Sequence, residues 1–226
     1  MNTNAQEFAV DSSGVIRSAS LSRISGLIHG FGARHSKAWP GLPSATVRQL
    51  HSDRVILATE PGNNGEADGL VTDRAGFVLA VRTADCVPIL IADPQHHAVA
   101  AVHAGWRGAA RRIAMRAVEE MRRRWGSEPA SLIAAVGPAI GRCCFEVGPE
   151  VASEFATLFP ERDDLGSKTY IDLPEANRRQ LVEAGIREDR IASAALCTRC
   201  DAALFHSYRR DRELSGRMVS AIGWSA

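Results

Sequence analysis

The sequence contains no apolar run long enough to cross a membrane and no excess of charge of either sign. It has 226 residues, of which 23% are charged, and its formal net charge is +1. A membrane helix needs ~20 consecutive apolar residues, and proteins that bind nucleic acid usually carry a basic excess. We therefore expect no membrane and no nucleic-acid partner. Residues 1–14 also lack the basic start and apolar stretch of a signal peptide, so we expect a cytoplasmic protein.

Cysteine is scarce as well. The chain has five cysteines, namely Cys86, Cys143, Cys144, Cys197 and Cys200. An odd number without an export signal argues for free thiols and against a disulfide framework. Cys197 and Cys200 have the spacing of a redox or zinc pair, but no second such pair accompanies them, so we expect a structural or incidental role. Adjacent side chains point in different directions in regular structure, so at most one of Cys143 and Cys144 is expected to face a given site.

The sequence also lacks internal repeats, low-complexity tracts and linker-like changes in composition. We therefore treat residues 1–226 as one domain, in which residues 1–20 are poorly specified. Short β-type runs alternate irregularly with helical segments, which favours a mixed α/β or α+β sandwich with helices covering a sheet. The β-type runs are "GFVLAVRT", "VPILIAD", "AVAAVHAG", "SLIAAVG" and "RIASAAL".

Three helices are predicted. The clearest follows Gly108 and ends at Gly126, a residue that commonly terminates helices. Its apolar stripe at helical spacing consists of Ile113, Ala117, Met121 and Trp125. A second helix is predicted to begin near Pro149 and to continue through "EVASEFATLF". A third is predicted to begin at Pro174, since proline suits a first helical turn, and to end before Gly185.

The stretch from residue 83 to residue 108 places a thiol and an imidazole at opposite ends of an apolar segment. "VPILIAD" and "AVAAVHAG" are typical of strands, and "PQHH" between them is typical of a turn. A hairpin centred near Pro94 and Gln95 would place Cys86 opposite His103, with Cβ atoms ~4.5–5.5 Å apart. A slip of one residue would instead send the two side chains to opposite faces of the sheet.

The residues alone leave two chemistries open for this pair. A thiolate and an imidazole at that separation can share a metal ion, or they can act as a nucleophile and its base. His51, in "RQLHSD", is a third candidate ligand at the end of a strand-like run. Two histidines and one cysteine would form a three-ligand site with an open position, which is the pattern of catalytic zinc. An ordinary polar role for His51 also fits its spacing.

Two glycine-rich segments are candidates for binding an anion or for catalysis. "HAGWRGAARR" reads as a strand, a turn and a helix start, where free N–H groups and Arg107 would suit phosphate; a close-packed turn is the alternative. In "GPAIGRCCFEVG", Glu146 is either catalytic or a cap of the following helix. Asp68, in "EADGLVT", is typical of a structural turn.

These segments together resemble one family. The motifs are "RQLHSD", "ADGLVT", "TADCVPILIAD", "VHAGWRG", "GPAIGRCCFEVG" and "CTRCDAALFHSYRRDRELSGRM". They resemble the motif set of the YfiH-like proteins, which are also called laccase-domain or multicopper polyphenol oxidase proteins and, in bacteria, peptidoglycan editing factors. The resemblance spans roughly residues 28–223, and "TADC" followed by "HAGWRG" is its most specific part.

The resemblance implies a sandwich fold related to the catalytic domain of cytotoxic necrotizing factors. It implies zinc bound by His51, Cys86 and His103, with copper as the alternative metal. The implied activity is phosphorolysis of purine nucleosides (adenosine, inosine and methylthioadenosine) together with adenosine deamination. The partners would be a nucleoside and phosphate, and we expect a monomer or a small homo-oligomer. Arg34, in "HGFGARHS", and Gln49, next to the histidine motif, would contact phosphate or substrate.

The chain departs from the family pattern between these two residues. The family usually has two glycines and a serine after the arginine and then a longer segment, whereas this chain has "HSKAWPGLPSATVRQ". Substrate contacts from residues 35–48 are therefore not carried over from the family.

The proposed chemistry requires a proton carrier and a cation for phosphate. Carboxylates that could carry the proton are Asp85, Asp68 and Glu146, and the sequence does not choose among them. Arg34, Arg107 and Arg209 are the cations predicted to bind phosphate, with a surface ion pair as the alternative role of Arg209.

Three rival functions remain at this stage. Copper-dependent phenol oxidation is disfavoured because none of the seven histidines forms a His-x-His pair. A cysteine hydrolase that edits peptidoglycan precursors would use Cys86 as nucleophile and His103 as base. A non-enzymatic domain would hold a structural metal or bind a partner such as a peptidoglycan precursor ligase.

Overall fold

The computed structural model of the protein describes residues 7–36 and 42–226. In these ranges the chain forms fifteen strands and six α-helices. The strands are β1 (Phe8–Val10), β2 (Ile16–Ser18), β3 (Leu27–Phe31), β4 (Ser44–Arg48), β5 (Val55–Leu57), β6 (Gly62–Glu66), β7 (Gly69–Thr72), β8 (Val78–Thr83), β9 (Val87–Asp93), β10 (Ala98–Ala104), β11 (Ile133–Val136), β12 (Glu146–Val147), β13 (Thr169–Tyr170), β14 (Ile191–Ser193) and β15 (Met218–Trp224).

The helices are mostly short. They are α1 (Ala19–Ser22), α2 (Trp106–Ala110), α3 (Ile113–Trp125), α4 (Pro149–Ala152), α5 (Leu173–Glu183) and α6 (Tyr208–Asp211). Single 3₁₀ turns occupy Pro129–Ser131, Ser153–Phe155, Glu188–Arg190 and Arg212–Leu214. No helix among the described residues is both long and apolar enough to traverse a lipid bilayer.

The strands form two large mixed sheets and a two-stranded ribbon. One sheet has the order β1-β2-β3-β15-β8-β4-β6 and the other has the order β14-β11-β9-β10-β7-β5, while β12 pairs with β13. Both large sheets contain parallel and antiparallel pairs, for example β4 parallel to β8 and β9 antiparallel to β10. This confirms the predicted mixed fold with helices covering a sheet.

The second sheet lies between the first sheet and the helices. In β9 the side chains of Ile89 and Ile91 pack in the cluster that contains Ile113 of α3. Leu90 of the same strand packs in the cluster that contains Phe31 of the first sheet. Every residue of β9 and β10 is therefore buried. Burial on both faces explains why these strands read as continuous apolar runs without alternation.

The predicted strands are confirmed. The first predicted helix is interrupted, because α2 ends at Ala110 and α3 begins only after Arg112, whose backbone is left-handed with φ of 64°. The apolar stripe of α3 is confirmed, with Ile113, Ala117 and Met121 buried.

The second predicted helix is wrong in length, because α4 ends at Ala152 and a 3₁₀ turn follows. A 3₁₀ turn has three residues per turn. Ala152 at the end of α4, Phe155 in the 3₁₀ turn and Leu158 after it are all buried.

The N-terminal segment, for which the sequence specified little, contains an antiparallel pair. Phe8 of β1 faces Ser18 of β2, and Ile16 of β2 faces Phe31 of β3 at the edge of the first sheet. Residues 1–6 lie outside the described ranges.

A substitution at Gly126 can test why α3 ends there. The backbone of Gly126 is left-handed, with φ of 70°, and its N–H donates to the Arg122 carbonyl. Gly126→Ala should lower the free energy of unfolding by about 1 kcal/mol, because a Cβ is strained in that conformation. The matched control is Gly166→Ala, since neither glycine has an atom within 4 Å of an added Cβ and Gly166 has no positive φ. Urea denaturation should show a loss for the first variant and none for the second; equal losses would contradict the strain argument.

Candidate metal centre

The hairpin formed by β9 and β10 brings the predicted thiol and imidazole to one face, although not in the predicted register. His103 faces Pro88, so the predicted pairing with Cys86 is wrong by two residues. The turn comprises residues 94–97 and is centred one residue later than predicted. A shift of one residue in the turn moves each pairing by two, and side chains two residues apart point to the same face. The predicted shared face is therefore retained.

Gly105 gives the three predicted ligands the room to converge. It follows β10 and occupies the position that would face Cys86 if the pairing continued by one residue. A Cβ at Gly105 would lie 2.9 Å from His51 Cδ2 and 3.2 Å from Cys86 Sγ. Such contacts are tighter than van der Waals packing allows, so any larger residue would displace the ligands.

His51 enters the site from the other sheet. It follows β4 in a turn and has a left-handed backbone with φ of 59°. The turn is held by the buried Asp68 carboxylate, which accepts hydrogen bonds from the N–H groups of Leu50 at 3.2 Å, His51 at 3.0 Å and Ser52 at 2.6 Å. The Ser52 hydroxyl donates to the same carboxylate. These bonds stabilise the conformation that points His51 at Cys86.

Asp68 also orients the second histidine. Its Oδ1 lies 2.8 Å from Nδ1 of His103, and both side chains are buried. Burial alone would raise the pKa of Asp68, but hydrogen bonds from His103 and Ser52 lower that pKa to about 2. Engagement of Nδ1 leaves Nε2 of His103 for a ligand. The sequence predicted a structural turn for Asp68 and left it open as a proton carrier, and the 35 residues that separate it from His103 gave no local signal of their contact.

Cys86 and His103 favour each other's charged forms. Burial would raise the pKa of the Cys86 thiol, but His103 and His51 lower that pKa to about 6. Burial would lower the pKa of His103, but the Cys86 sulfur and the Asp68 carboxylate raise that pKa to about 9. Each group therefore stabilises the charged form of the other, which favours a thiolate beside an imidazolium.

The three side chains fit a metal ion. One donor atom each from His51, Cys86 and His103 lies within 4.8 Å of the others. The rings of the two histidines are nearly perpendicular, with centroids 4.9 Å apart. His103 is buried and His51 is exposed, so the set is open towards solvent on one side. Three protein ligands with one open position are typical of a catalytic metal site. The arrangement can thus bind a metal ion and present it to a small molecule.

The open side faces a cavity of about 1060 Å³. Its lining includes the three ligands, two acidic residues (Asp85 and Glu213) and six arginines, which are Arg48, Arg82, Arg107, Arg209, Arg212 and Arg217. In the described part of the chain, Arg48 is the one member of these six within ion-pair distance of a carboxylate, that of Glu66 at 2.9 Å. The cavity is therefore electropositive and suits an anion.

Asp85 lines the cavity, but both of its oxygens are engaged. Oδ1 accepts a hydrogen bond from the Thr198 hydroxyl at 2.6 Å, and Oδ2 accepts one from the Arg209 backbone N–H at 2.6 Å. Asp85 also has a left-handed backbone, with φ of 85°. Its carboxylate thus joins the turn before Cys86 to Thr198 and to Arg209, of which Arg209 lines the cavity.

The structure brings three of the four predicted substrate-binding residues to the cavity. Arg107 lies over the Trp106 ring, with its guanidinium carbon 4.5 Å from the centroid. Arg209 lies over Phe145 at 5.2 Å and donates to the Glu146 carbonyl. Gln49 bonds both the N–H and the carbonyl of Arg82 through its amide.

Arg34 and Glu146 are placed differently from these residues. Arg34 is absent from the cavity lining and forms an ion pair with Asp211 at 3.5 Å. The Glu146 carboxylate pairs with Lys168 at 2.9 Å, and Glu146 does not line the cavity either. Four cavity arginines were not predicted, namely Arg48, Arg82, Arg212 and Arg217. The last two lie in the "SYRRDRELSGRM" segment, where the run of basic residues was the available signal.

The motif resemblance is confirmed by comparison with known proteins. Residues 33–225 match the family described as multi-copper polyphenol oxidoreductase laccase. The chain belongs to this family.

Relatives in the family are named as enzymes of purine nucleosides. The chain is 44% identical over 162 residues to the purine nucleoside phosphorylase YlmD of Geobacillus stearothermophilus, an alignment that covers 69% of this chain and 59% of that protein. It is 41% identical over 191 residues to adenosine deaminase RL5 of an unknown prokaryotic organism, covering 77% of this chain and 72% of that protein. The crystal structure of Bacillus licheniformis hypothetical protein YfiH superposes with a TM-score of 0.86 at 31% identity, covering 96% and 99% of the two chains.

The role of Asp68 can be tested with Asp68→Asn. An amide would direct an N–H donor at groups that themselves donate, so His103 and the His51 turn should lose their positions. Loss of such a partner typically costs 10–100-fold in metal affinity, and we expect a loss of about that size in a zinc competition titration.

Asp93→Asn is the matched control. Asp93 is a buried carboxylate at the opposite end of β9, and it accepts from the N–H groups of Gln95 and His96 and contacts His96 Nδ1 at 2.8 Å. The Asp93→Asn variant should have a lower free energy of unfolding than the wild type but the same zinc affinity. Unchanged affinity in Asp68→Asn, or equal losses in the two variants, would contradict the positioning role.

Proposed function

We propose that this protein is a zinc-dependent purine nucleoside phosphorylase that also deaminates adenosine. The observation that carries the proposal is the three-ligand metal site, His51, Cys86 and His103, at the base of an arginine-lined cavity. Relatives named as a purine nucleoside phosphorylase and an adenosine deaminase support the substrate class.

Phosphorolysis needs an anion held beside the nucleoside. An oxygen of inorganic phosphate forms a bond to ribose C1′, and the bond from C1′ to N9 of the purine breaks. The electron pair leaves with the base, which takes up a proton, and ribose 1-phosphate is the second product. Arg107 and Arg209 line the cavity without a carboxylate within ion-pair distance, so both guanidinium groups can donate to phosphate oxygens.

Deamination uses the same cavity with a different attacking group. Water adds to C6 of adenine, and ammonia leaves, so adenosine becomes inosine. A zinc ion held by His51, Cys86 and His103 would supply Lewis acidity at the open position. We assign Asp85 a positioning role, because its two oxygens already accept bonds from Thr198 and Arg209.

The small number of possible metal ligands favours a single zinc ion over a multicopper centre. Copper also binds cysteine and histidine, but a multicopper cluster needs several adjacent histidines. Among the described residues, which include all seven histidines, only His51 and His103 belong to a group that could hold a metal. The ligands present therefore suit a single ion.

One observation favours a second candidate, a cysteine hydrolase. The site contains a possible nucleophile in Cys86, a base in His103 and a carboxylate that orients the base in Asp68. Such an enzyme would act without metal and could serve the editing of peptidoglycan precursors. It would have no use for His51, whose removal should then leave activity intact.

The deciding experiment offers inosine and adenosine to purified protein of known metal content. Phosphate and a chelator are each added or omitted, and the free base and the deaminated product are separated by chromatography. We expect base release that requires both phosphate and zinc. Turnover that survives the chelator but is lost on thiol alkylation would overturn the proposal in favour of the hydrolase.

Variants of the three ligands sharpen this test. His51→Ala, Cys86→Ala and His103→Ala should each abolish zinc binding at this site and turnover together, because two protein ligands hold the ion too weakly. His96→Ala is the control, since His96 pairs with Asp93 at the far end of the hairpin, and it should keep both properties. Full activity in His51→Ala would contradict the metal assignment.

The phosphate site is tested with Arg107→Gln. Loss of one charge-assisted contact should raise the KM for phosphate about 10-fold, while the KM for inosine changes little. Arg111→Gln is the control, because Arg111 also belongs to the α2 region and is exposed but does not line the cavity. Equal changes in the two variants would show that Arg107 makes no specific contact with phosphate.

A further inference from the structure

A second group of metal-binding side chains lies apart from the first. Cys143, Cys144, Cys197 and Cys200 all place their sulfur atoms within 4.8 Å of one another. The expectation that only one of the adjacent cysteines would face a given site is therefore wrong. Cys143 and Cys144, and not a second C-x-x-C pair, are the partners of Cys197 and Cys200. These four residues are the four-cysteine cluster.

The reason for the convergence is an irregular turn. The carbonyl of Gly141 accepts hydrogen bonds from the N–H groups of both Cys144 and Phe145. Side chains of neighbouring residues diverge in strands and helices, but a tight turn can bring both thiols to one side. Cys197 and Cys200 come from the loop after β14, which joins the first segment through a bridge between Ala139 and Cys197.

The three distances among the sulfur atoms of Cys143, Cys144 and Cys200 are close to those of a tetrahedral metal site. Cys144 Sγ lies 3.4 Å from Cys200 Sγ and 3.6 Å from Cys143 Sγ, and Cys143 Sγ lies 3.7 Å from Cys200 Sγ. With zinc–sulfur bonds of ~2.3 Å, the edge of a tetrahedron of four sulfurs is roughly 3.8 Å. A disulfide would instead need two sulfurs at ~2.05 Å and would leave two others over.

The surroundings of the cluster suit thiolates bound to a cation. The Gly141 N–H donates to Cys197 Sγ at 3.3 Å, and hydrogen bonds of this kind support metal ligands. Arg199 interacts with the Cys144 sulfur, so its positive charge offsets part of the negative charge of four thiolates. A Cβ at Gly141 would lie 3.3 Å from Cys143 Sγ, which is tight packing around the cluster.

We propose that the four-cysteine cluster binds one zinc ion and that this ion is structural. Four sulfur atoms within 4.8 Å of one another can fill a tetrahedral coordination shell and leave no open position, which distinguishes a structural from a catalytic zinc site. Iron–sulfur clusters also use four cysteines, but their sulfurs are divided between two irons or spread over four. Sulfurs on different irons must be farther apart than the separations in this cluster.

The ion would fasten together the two segments that support the first metal centre. The Ile140 N–H donates to the carbonyl of Asp85 at 2.9 Å. From the other segment, the Thr198 hydroxyl donates to the Asp85 carboxylate at 2.6 Å. Asp85 precedes Cys86 directly, so the four-cysteine cluster stabilises the turn from which the Cys86 ligand projects.

Metal analysis of the whole chain tests the proposal. Protein prepared under reducing conditions with zinc should contain about two zinc ions per chain, and Cys200→Ser about one. Cys86→Ser is the matched control, since it should also contain about one ion but from the other site. Cys200→His should regain the lost ion, because zinc accepts three cysteines and one histidine.

Two further measurements keep the test decisive if Cys200→Ser folds poorly. In the Cys86→Ser protein, the four remaining thiols should resist a thiol reagent until a chelator is added. Release of the ion should also lower the melting temperature. Four freely reactive thiols, an intact mass showing a disulfide, or a zinc content that is the same in wild type and Cys200→Ser would each overturn the proposal. Iron bound in place of zinc would overturn the assignment of the ion.

Discussion

The hydrogen bonds of the buried Asp68 carboxylate are the interactions on which the candidate metal centre depends. The carboxylate accepts three backbone N–H groups of the turn after β4, one hydroxyl and one imidazole nitrogen. A buried charge is costly unless it is fully hydrogen-bonded, so the carboxylate and its partners hold one another in a single arrangement. Two of the three ligands, His51 and His103, belong to that arrangement although they come from different sheets.

The carboxylates near the cavity are used for positioning, and this has an electrostatic consequence. Asp85 is occupied by a hydroxyl and a backbone N–H, and Asp68 is occupied by the histidine turn. Glu213 receives the Tyr208 hydroxyl at 2.9 Å. Few negative charges remain to pair with the cavity arginines, so their field acts on whatever enters. An electropositive cavity beside a metal site favours a phosphate-bearing reaction over the oxidation of neutral phenols.

The features that could be predicted from the sequence are those set by periodicity. The apolar stripe of α3 depends only on the helical repeat of 3.6 residues. The shared face of Cys86 and His103 depends only on the strand repeat of 2 residues, so this prediction is correct although the turn was predicted one residue too early. The contact between Asp68 and His103 and the four-cysteine cluster depend on which distant segments meet. In strands and helices adjacent side chains point in different directions, but the irregular turn at Gly141 does not follow this pattern. The placement of Arg34 beside Asp211 likewise follows from tertiary packing alone.

The arrangement of Cys86, His103 and Asp68 suits both a thiol nucleophile with its base and a bound metal ion. A fourth residue, His51, distinguishes between the two. His51 adopts a left-handed backbone, a conformation that costs a residue with a Cβ about 1–2 kcal/mol. Hydrogen bonds to Asp68 offset that cost, and their effect is to bring a second imidazole within 4.8 Å of the other two donor atoms. A nucleophile and its base gain nothing from a third donor at that distance. A metal ion gains a ligand, and the glycine at position 105 leaves the space in which the three ligands converge.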